Sequence, residues 1–180
     1  IVETSDLSTG SFYHLFSDKK QLLDQATIRL LEEFKQTFSA LDLSRTANGD
    51  LYTMFYHLAL AGRGLVANNR GIYRATSELS QSNINGYGPL RTIGPAIMVG
   101  IGDVINDYAD QLTIPPTRED IAYVVQLITM CVMHTELGMG PLFPAGNEDF
   151  AQIIARAACG ILRYSGQADQ PMPKVTKAVP

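Results

Sequence analysis

The residues of this chain with reactive side chains are three histidines, two cysteines and a scatter of carboxylates. Their spacing limits what they can do. His134-Thr135-Glu136 has the His-x-Glu order of zinc deaminases, but the Pro-Cys-x-x-Cys that completes such a metal site does not occur. The residues three positions before His14, His57 and His134 are Ser11, Met54 and Cys131. None is Glu, so the helical Glu-x-x-His of di-iron bundles is absent. Cys131 and His134 stand one helical turn apart and could form a thiol–imidazole pair. A thiol inside an apolar helical run stays protonated and acts as packing, so no catalytic role is assigned to it. No catalytic residue, metal set or cofactor is expected, and no Gly-rich phosphate loop appears.

Polar groups set singly into apolar runs point to binding instead. Tyr56, His57, Tyr73, Arg74, Tyr108, His134 and Glu136 have this placement, with Met54, Met98, Met130 and Met133 among them. An apolar lining with a few placed polar groups is the usual small-molecule site, and methionines make such a lining adaptable. The same pattern also describes plain core.

The stretch Ser8-Thr9-Gly10-Ser11-Phe12-Tyr13-His14-Leu15-Phe16-Ser17-Asp18-Lys19-Lys20-Gln21-Leu22-Leu23 carries more information. Ser8 can accept a hydrogen bond from a first-turn N–H and start a short helix. Gly10 leaves the backbone free to approach a neighbouring surface. Phe12, Leu15 and Phe16 are three and four apart and share an anchoring face. Thr9, Ser11, Tyr13 and His14 remain on other faces as hydrogen-bonding groups. Ser17 can cap a second helix whose first turn holds Lys19 and Lys20. Lysines oppose the partial positive charge of a helix N-terminus, and a nearby phosphate would remove that objection.

This stretch resembles the recognition helix and the start of the next helix in TetR family transcriptional regulators. Ser8, Gly10, Phe12, Tyr13, Phe16, Lys19, Leu22 and Leu23 fall on the family pattern in register. Beyond Leu23 the resemblance is architectural. It implies that residues 1–23 are the remnant of a helix-turn-helix domain, with a recognition helix near residues 8–16. Ser8, Thr9, Gly10, Ser11, Tyr13, His14 and Lys19 become DNA-binding candidates, with Tyr13, His14 and Lys19 against phosphate and Thr9 and Ser11 near base edges. It also implies about thirty further residues upstream, in a longer parent that binds a palindromic operator, since a helix-turn-helix needs a supporting first helix. The implied function is that of a ligand-responsive regulator, a repressor released by a small apolar or aromatic effector. The alternative is an all-helical enzyme or scaffold that shares the short motif alone.

The rest of the chain supplies the elements. Leu23, Thr27, Leu30, Phe34, Phe38 and Leu41 recur at steps of three and four, which predicts one amphipathic helix from Asp18 to about Leu41. A second follows from Leu51 to about Ala67, with Met54, Phe55, Leu58 and Ala61 inward, and a shorter one from Ile72 to about Ser80. Breakers from Ser82 to Pro89 predict a loop. Leu90, Ile93, Ile97, Ile101, Val104 and Tyr108 share the next helical face, where Pro95 either kinks the helix or marks its start. Thr117 and Asp120 form a capping-box start. The helix from Arg118 to about Met139 is apolar nearly all round between Ile121 and Met133. Asn147 caps a last helix that runs to about Tyr164.

The fold class is therefore all-α. Residues 24–165 form a helical effector-binding and dimerisation domain, and residues 166–180 an extended or disordered tail. On the family resemblance Met54, Phe55, Leu58, Tyr73, Met98, Ile101, Met130 and His134 are the ligand-binding candidates. An all-round apolar helix needs cover on two sides, which a second copy of the chain can supply. Ile121, Val125, Ile128, Val132, Ile154, Ala158 and Ile161 are the candidate homodimer interface.

Composition sets the outer bounds. The length of 180 residues suits one domain with a sizeable core, and 46% hydrophobic residues is ordinary for a globular chain. A net charge of −4 excludes a whole-surface nucleic-acid binder but leaves room for a local basic patch. Cys131 and Cys159 give no disulfide framework and fit buried, reduced thiols in a cytoplasmic protein. The apolar run from Ile121 to Met133 is too short to span a bilayer, so no membrane partner is expected.

Overall fold

The computed structural model of the chain describes residues 16, 18–82, 93–138 and 146–166. Among them the architecture is all-helical: α1 (Lys19–Ala40), α2 (Arg45–Asn48), α3 (Leu51–Asn68), α4 (Arg70–Ser82), α5 (Ile93–Asn106), α6 (Arg118–Leu137) and α7 (Asn147–Ile161), with a 3-10 turn at Ala109–Gln111. The predicted loop at residues 82–89 falls almost wholly outside the described residues. So does the tail, apart from Gly166 at its first position.

Capping chemistry places most helix starts. Asp18, and not Ser17, caps α1 by accepting from Gln21 N at 2.7 Å. Asp50 caps α3 through Thr53 N at 2.7 Å. Thr117 and Asp120 close the expected capping box on α6, with bonds of 3.1 and 2.9 Å. Asn147 does not cap α7. Gly146 holds the N-cap position, and Asn147 is the first helical residue, followed by Glu148 and Asp149 at the positive end of the helix dipole. Pro95 lies in the first turn of α5, where a missing N–H costs nothing, so it marks a helix start. Gly138 ends α6 in the left-handed region at φ 69, two residues before the predicted end.

The core forms around α3. Leu51, Met54, Phe55 and Ala59 are fully buried, and Tyr52, Tyr56, Leu58, Leu65 and Val66 nearly so. α3 packs on α6 and α7, and α1, α2 and α4 also touch it. Ala59, Ala151, Ala155 and Ala158 have no exposed surface, so small side chains let α3 and α7 approach closely. On α1, Leu23, Thr27 and Leu30 face inward as the periodicity predicts, and Thr27 satisfies its hydroxyl on Leu23 O at 2.8 Å.

A polar hub fixes the joint between α1 and α3. The Tyr108 hydroxyl donates to Leu43 O at 2.9 Å. Gln111 accepts from Leu51 N at 2.9 Å and donates to Gly49 O at 3.1 Å. Asn48 donates to Asp42 O and Ser44 O at 2.8 and 2.9 Å, which leaves its oxygen for His57 Nδ1 at 2.8 Å. An oxygen can only accept, so His57 carries its neutral-form proton on Nδ1. Beside this hub, Leu112 and Tyr164 form an isolated antiparallel bridge that ties the 3-10 turn to the end of α7.

Burial pushes the His57 imidazole below its ordinary value. In the window just below pH 6.5 the unfolded chain therefore binds more protons than the folded one. Stability present above that window is lost as pH falls through it. The urea midpoint should drop between pH 7 and pH 5.5, and less so in His57→Gln, whose amide can still donate to Asn48. Equal pH slopes in the two proteins would remove His57 from the effect.

Candidate functional site

Ser8, Thr9, Gly10, Ser11, Tyr13 and His14 lie outside the described residues. Lys19 is the first residue of α1. The other candidate residues divide into core and surface. Met54, Phe55, Leu58 and Ile101 are buried in the hydrophobic core, and Tyr73 is partly buried against it. Met98 is half-buried on α5. Met130 and His134 are on a different face altogether. The eight proposed ligand-binding residues are thus not gathered into one cavity among the described residues. Helical periodicity marks which residues turn inward, but it does not separate a pocket wall from a packed core.

The interface candidates divide in the same way. Ile128, Val132, Ile154 and Ala158 are 8%, 3%, 1% and 0% exposed within a single chain. They pack against their own helices, so they are not a surface open to a partner. Ile121, Val125 and Ile161 are partly buried at the edge of the core. The uncovered apolar face of α6 is a neighbouring stripe that includes Tyr123, 64% exposed, and Met130, 51% exposed. An all-round apolar helix has two such faces, and periodicity alone does not tell which one its own chain covers.

That stripe is one wall of an open groove of about 650 Å³ lined by Tyr123, Gln126, Leu127, Met130, Cys131 and His134 of α6 and Ile161 of α7. The spacing 123, 126, 127, 130, 131, 134 is that of one helix face. No Asp, Glu, Lys or Arg lines it. Gln126 leans along the stripe, its amide 3.8 Å from the Met130 sulfur. Burial pushes the Cys131 thiol up. His134 Nδ1 and Thr135 Oγ1 are buried without a hydrogen-bond partner among the described residues. A second concavity, at Gly146, Asn147, Glu148 and Asp149, is the exposed start of α7.

One charged group sits deep in the structure. Glu136 of α6 is 5% exposed. One carboxylate oxygen pairs with Arg63 of α3 and the other with Arg70 of α4. Arg63 also stacks over the Phe150 ring at 5.0 Å, and Arg74 reaches Leu137 O at 3.3 Å. Burial pushes the Glu136 carboxyl up, but hydrogen bonds and charge from Arg63 and Arg70 outweigh it and hold the group below the usual range. Glu136 is therefore an ionised tie between three helices. Pairing across 73 and 66 residues of sequence could not be read from local pattern.

Among the described residues no three His, Cys, Asp or Glu side chains group to hold a metal ion. No described helix is long and apolar enough to cross a membrane. No protein-family model matches the chain, and no curated protein matches it.

Removing one partner of the buried pair leaves the other charge uncompensated. Arg63→Met should lower stability by about 3 kcal/mol or more, read as a shift of the urea midpoint. Arg70→Met should cost less, because its side chain is 53% exposed. Since the Glu136 carboxyl titrates low in the fold, its contribution is present above the ordinary carboxylate range and fades as pH falls through it. A loss in Arg63→Met of the size seen for an exposed pair would show that the tie is weak.

Proposed function

We propose that this chain is the body of a TetR-like ligand-responsive transcriptional regulator, a repressor that acts as a homodimer on a palindromic operator. The observation that carries the reading is the register of Ser8, Gly10, Phe12, Tyr13, Phe16, Lys19, Leu22 and Leu23. The helix that the motif calls for begins at Lys19 and turns Leu23 into the core, which is consistent with it. In this reading α1 carries the DNA-binding head, and its position depends on the hub at Tyr108, Gln111 and Asn48. A small apolar or aromatic effector would bind against α4, α5 and α6, near Tyr73, Met98 and Ile101. It releases the operator by binding one spacing of the two heads better than the other.

The partner face in this reading is the uncharged groove on α6 and α7. A second copy laid on it would cover Tyr123, Leu127 and Met130 and build a four-helix interface. The groove supports this choice because a contiguous exposed apolar stripe without charged lining marks an interaction site.

Two experiments test the proposal. A protein extended at its N-terminus so that residues 8–16 serve as the recognition helix of a complete helix-turn-helix should enrich a two-fold symmetric sequence from random DNA. Lys19→Ala should then weaken binding across sequences and lower the salt slope by about one. Failure to enrich any sequence would favour a helical enzyme or scaffold. For assembly, the 180-residue chain should sediment as a dimer, and Met130→Glu should yield a folded monomer. Ile154→Arg or Ala158→Glu would not serve, because those residues lie in the core of the single chain and a charge there would unfold it. A monomeric parent chain would sink the dimer.

A further inference from the structure

We propose that the groove on α6 holds a binding site for a soft monovalent metal ion, Cu(I), built from the Met130 thioether, the Cys131 thiolate and the His134 imidazole. All three side chains line the same groove. Met130 and Cys131 are adjacent in sequence and do not face each other directly. His134 lies one turn further on and between them, about 40° from Met130 and about 60° from Cys131 around the helix axis at ~100° per residue. The three residues therefore spread over about 100° of one helix face, with the histidine between the two sulfur residues.

Four observations favour an ion of this class. His134 Nδ1 is buried and has no hydrogen-bond partner among the described residues, a state that is rare for a buried polar atom. Two of the three donors are sulfur, and thiolate with thioether selects soft ions. No carboxylate lines the groove, which removes the ligands that hard divalent ions need. A thiolate also neutralises a monovalent ion, so no net charge enters an apolar groove, whereas a divalent ion would leave one behind. Binding releases the Cys131 thiol proton to solvent, and the ion keeps its oxidation state. All three donors come from one chain, so the site does not rest on the regulator reading, although a second copy laid on the groove would compete with the ion for Met130.

The test is a titration of the reduced 180-residue chain with Cu(I) in anaerobic competition with bicinchoninate. The expected result is one ion per chain. Cys131→Ser should abolish binding, and Met130→Leu and His134→Gln should each weaken it about tenfold or more. Cys159→Ser should leave it unchanged, since Cys159 is 2% exposed in the core. Circular dichroism of each variant checks folding, and Met130→Leu keeps the test alive if a second variant misfolds, because Met130 is half exposed. The proposal is overturned if no ion binds, if Cys131→Ser binds as well as the parent, or if loss follows Cys159 instead. Zn(II) binding as tight as Cu(I) would overturn the ion class.

Discussion

A helix surrounded by other helices has little solvated surface, and α3 imposes that condition on this molecule. Nine of its eighteen residues are buried, which leaves few positions where a charge can be accommodated. α6 and α7 must both turn apolar surface towards it. α7 meets it with alanines at 151, 155 and 158, whose size sets how near the two axes come. α6 meets it with Val124, Ile128 and Val132 at steps of four. Loss of volume here would open a cavity that neighbouring helices could not easily fill, because they are themselves fixed by the same contact.

Polar groups then hold the joints where packing is thinnest. The segment between α1 and α3 has a four-residue helix and little apolar surface of its own. Tyr108 and Gln111 supply it with side-chain partners from distant sequence, and Asn48 adds bonds within the segment. At the other end of α3 the same task falls to charge. Arg63, Arg70 and Glu136 join α3, α4 and α6 at a point where a lone carboxylate would be strongly destabilising. The exposed Arg45–Asp110 pair has good bidentate geometry, at 2.6 and 2.8 Å, yet water screens it, so it contributes far less.

α6 has two apolar faces with different fates. One fills the core through Val124, Ile128 and Val132. The other is the open groove, where Tyr123 and Met130 remain half or more exposed. An uncharged face left open in this way draws together the regulator reading, which uses it for a second copy, and the soft donors of Met130, Cys131 and His134. Ile154 and Ala158 serve the chain's own interior, so the regulator reading has to place its partner surface on the open face instead.

The helices were legible in residue spacing alone. Periodicity placed α1, α3, α5 and α6 within a few residues of their bounds, since which side of a helix turns inward is a local property of residue spacing. The Thr117–Asp120 capping box and the Leu23, Thr27, Leu30 face were legible for the same reason. Local chemistry misplaced two caps: at α1 the adjacent Asp18 accepts the N–H in place of Ser17, and at α7 the helix starts one residue earlier than expected, with Gly146 at the N-cap and no side-chain cap. Tertiary structure alone decided which apolar residues are core and which are surface. Met54 and Phe55 read as pocket lining and Ile154 as interface, yet all three fill the interior. It also decided the partners of Glu136, which come from helices 73 and 66 residues away in sequence. Burial and pairing are properties of where helices meet, and residue spacing within one helix carries no record of that.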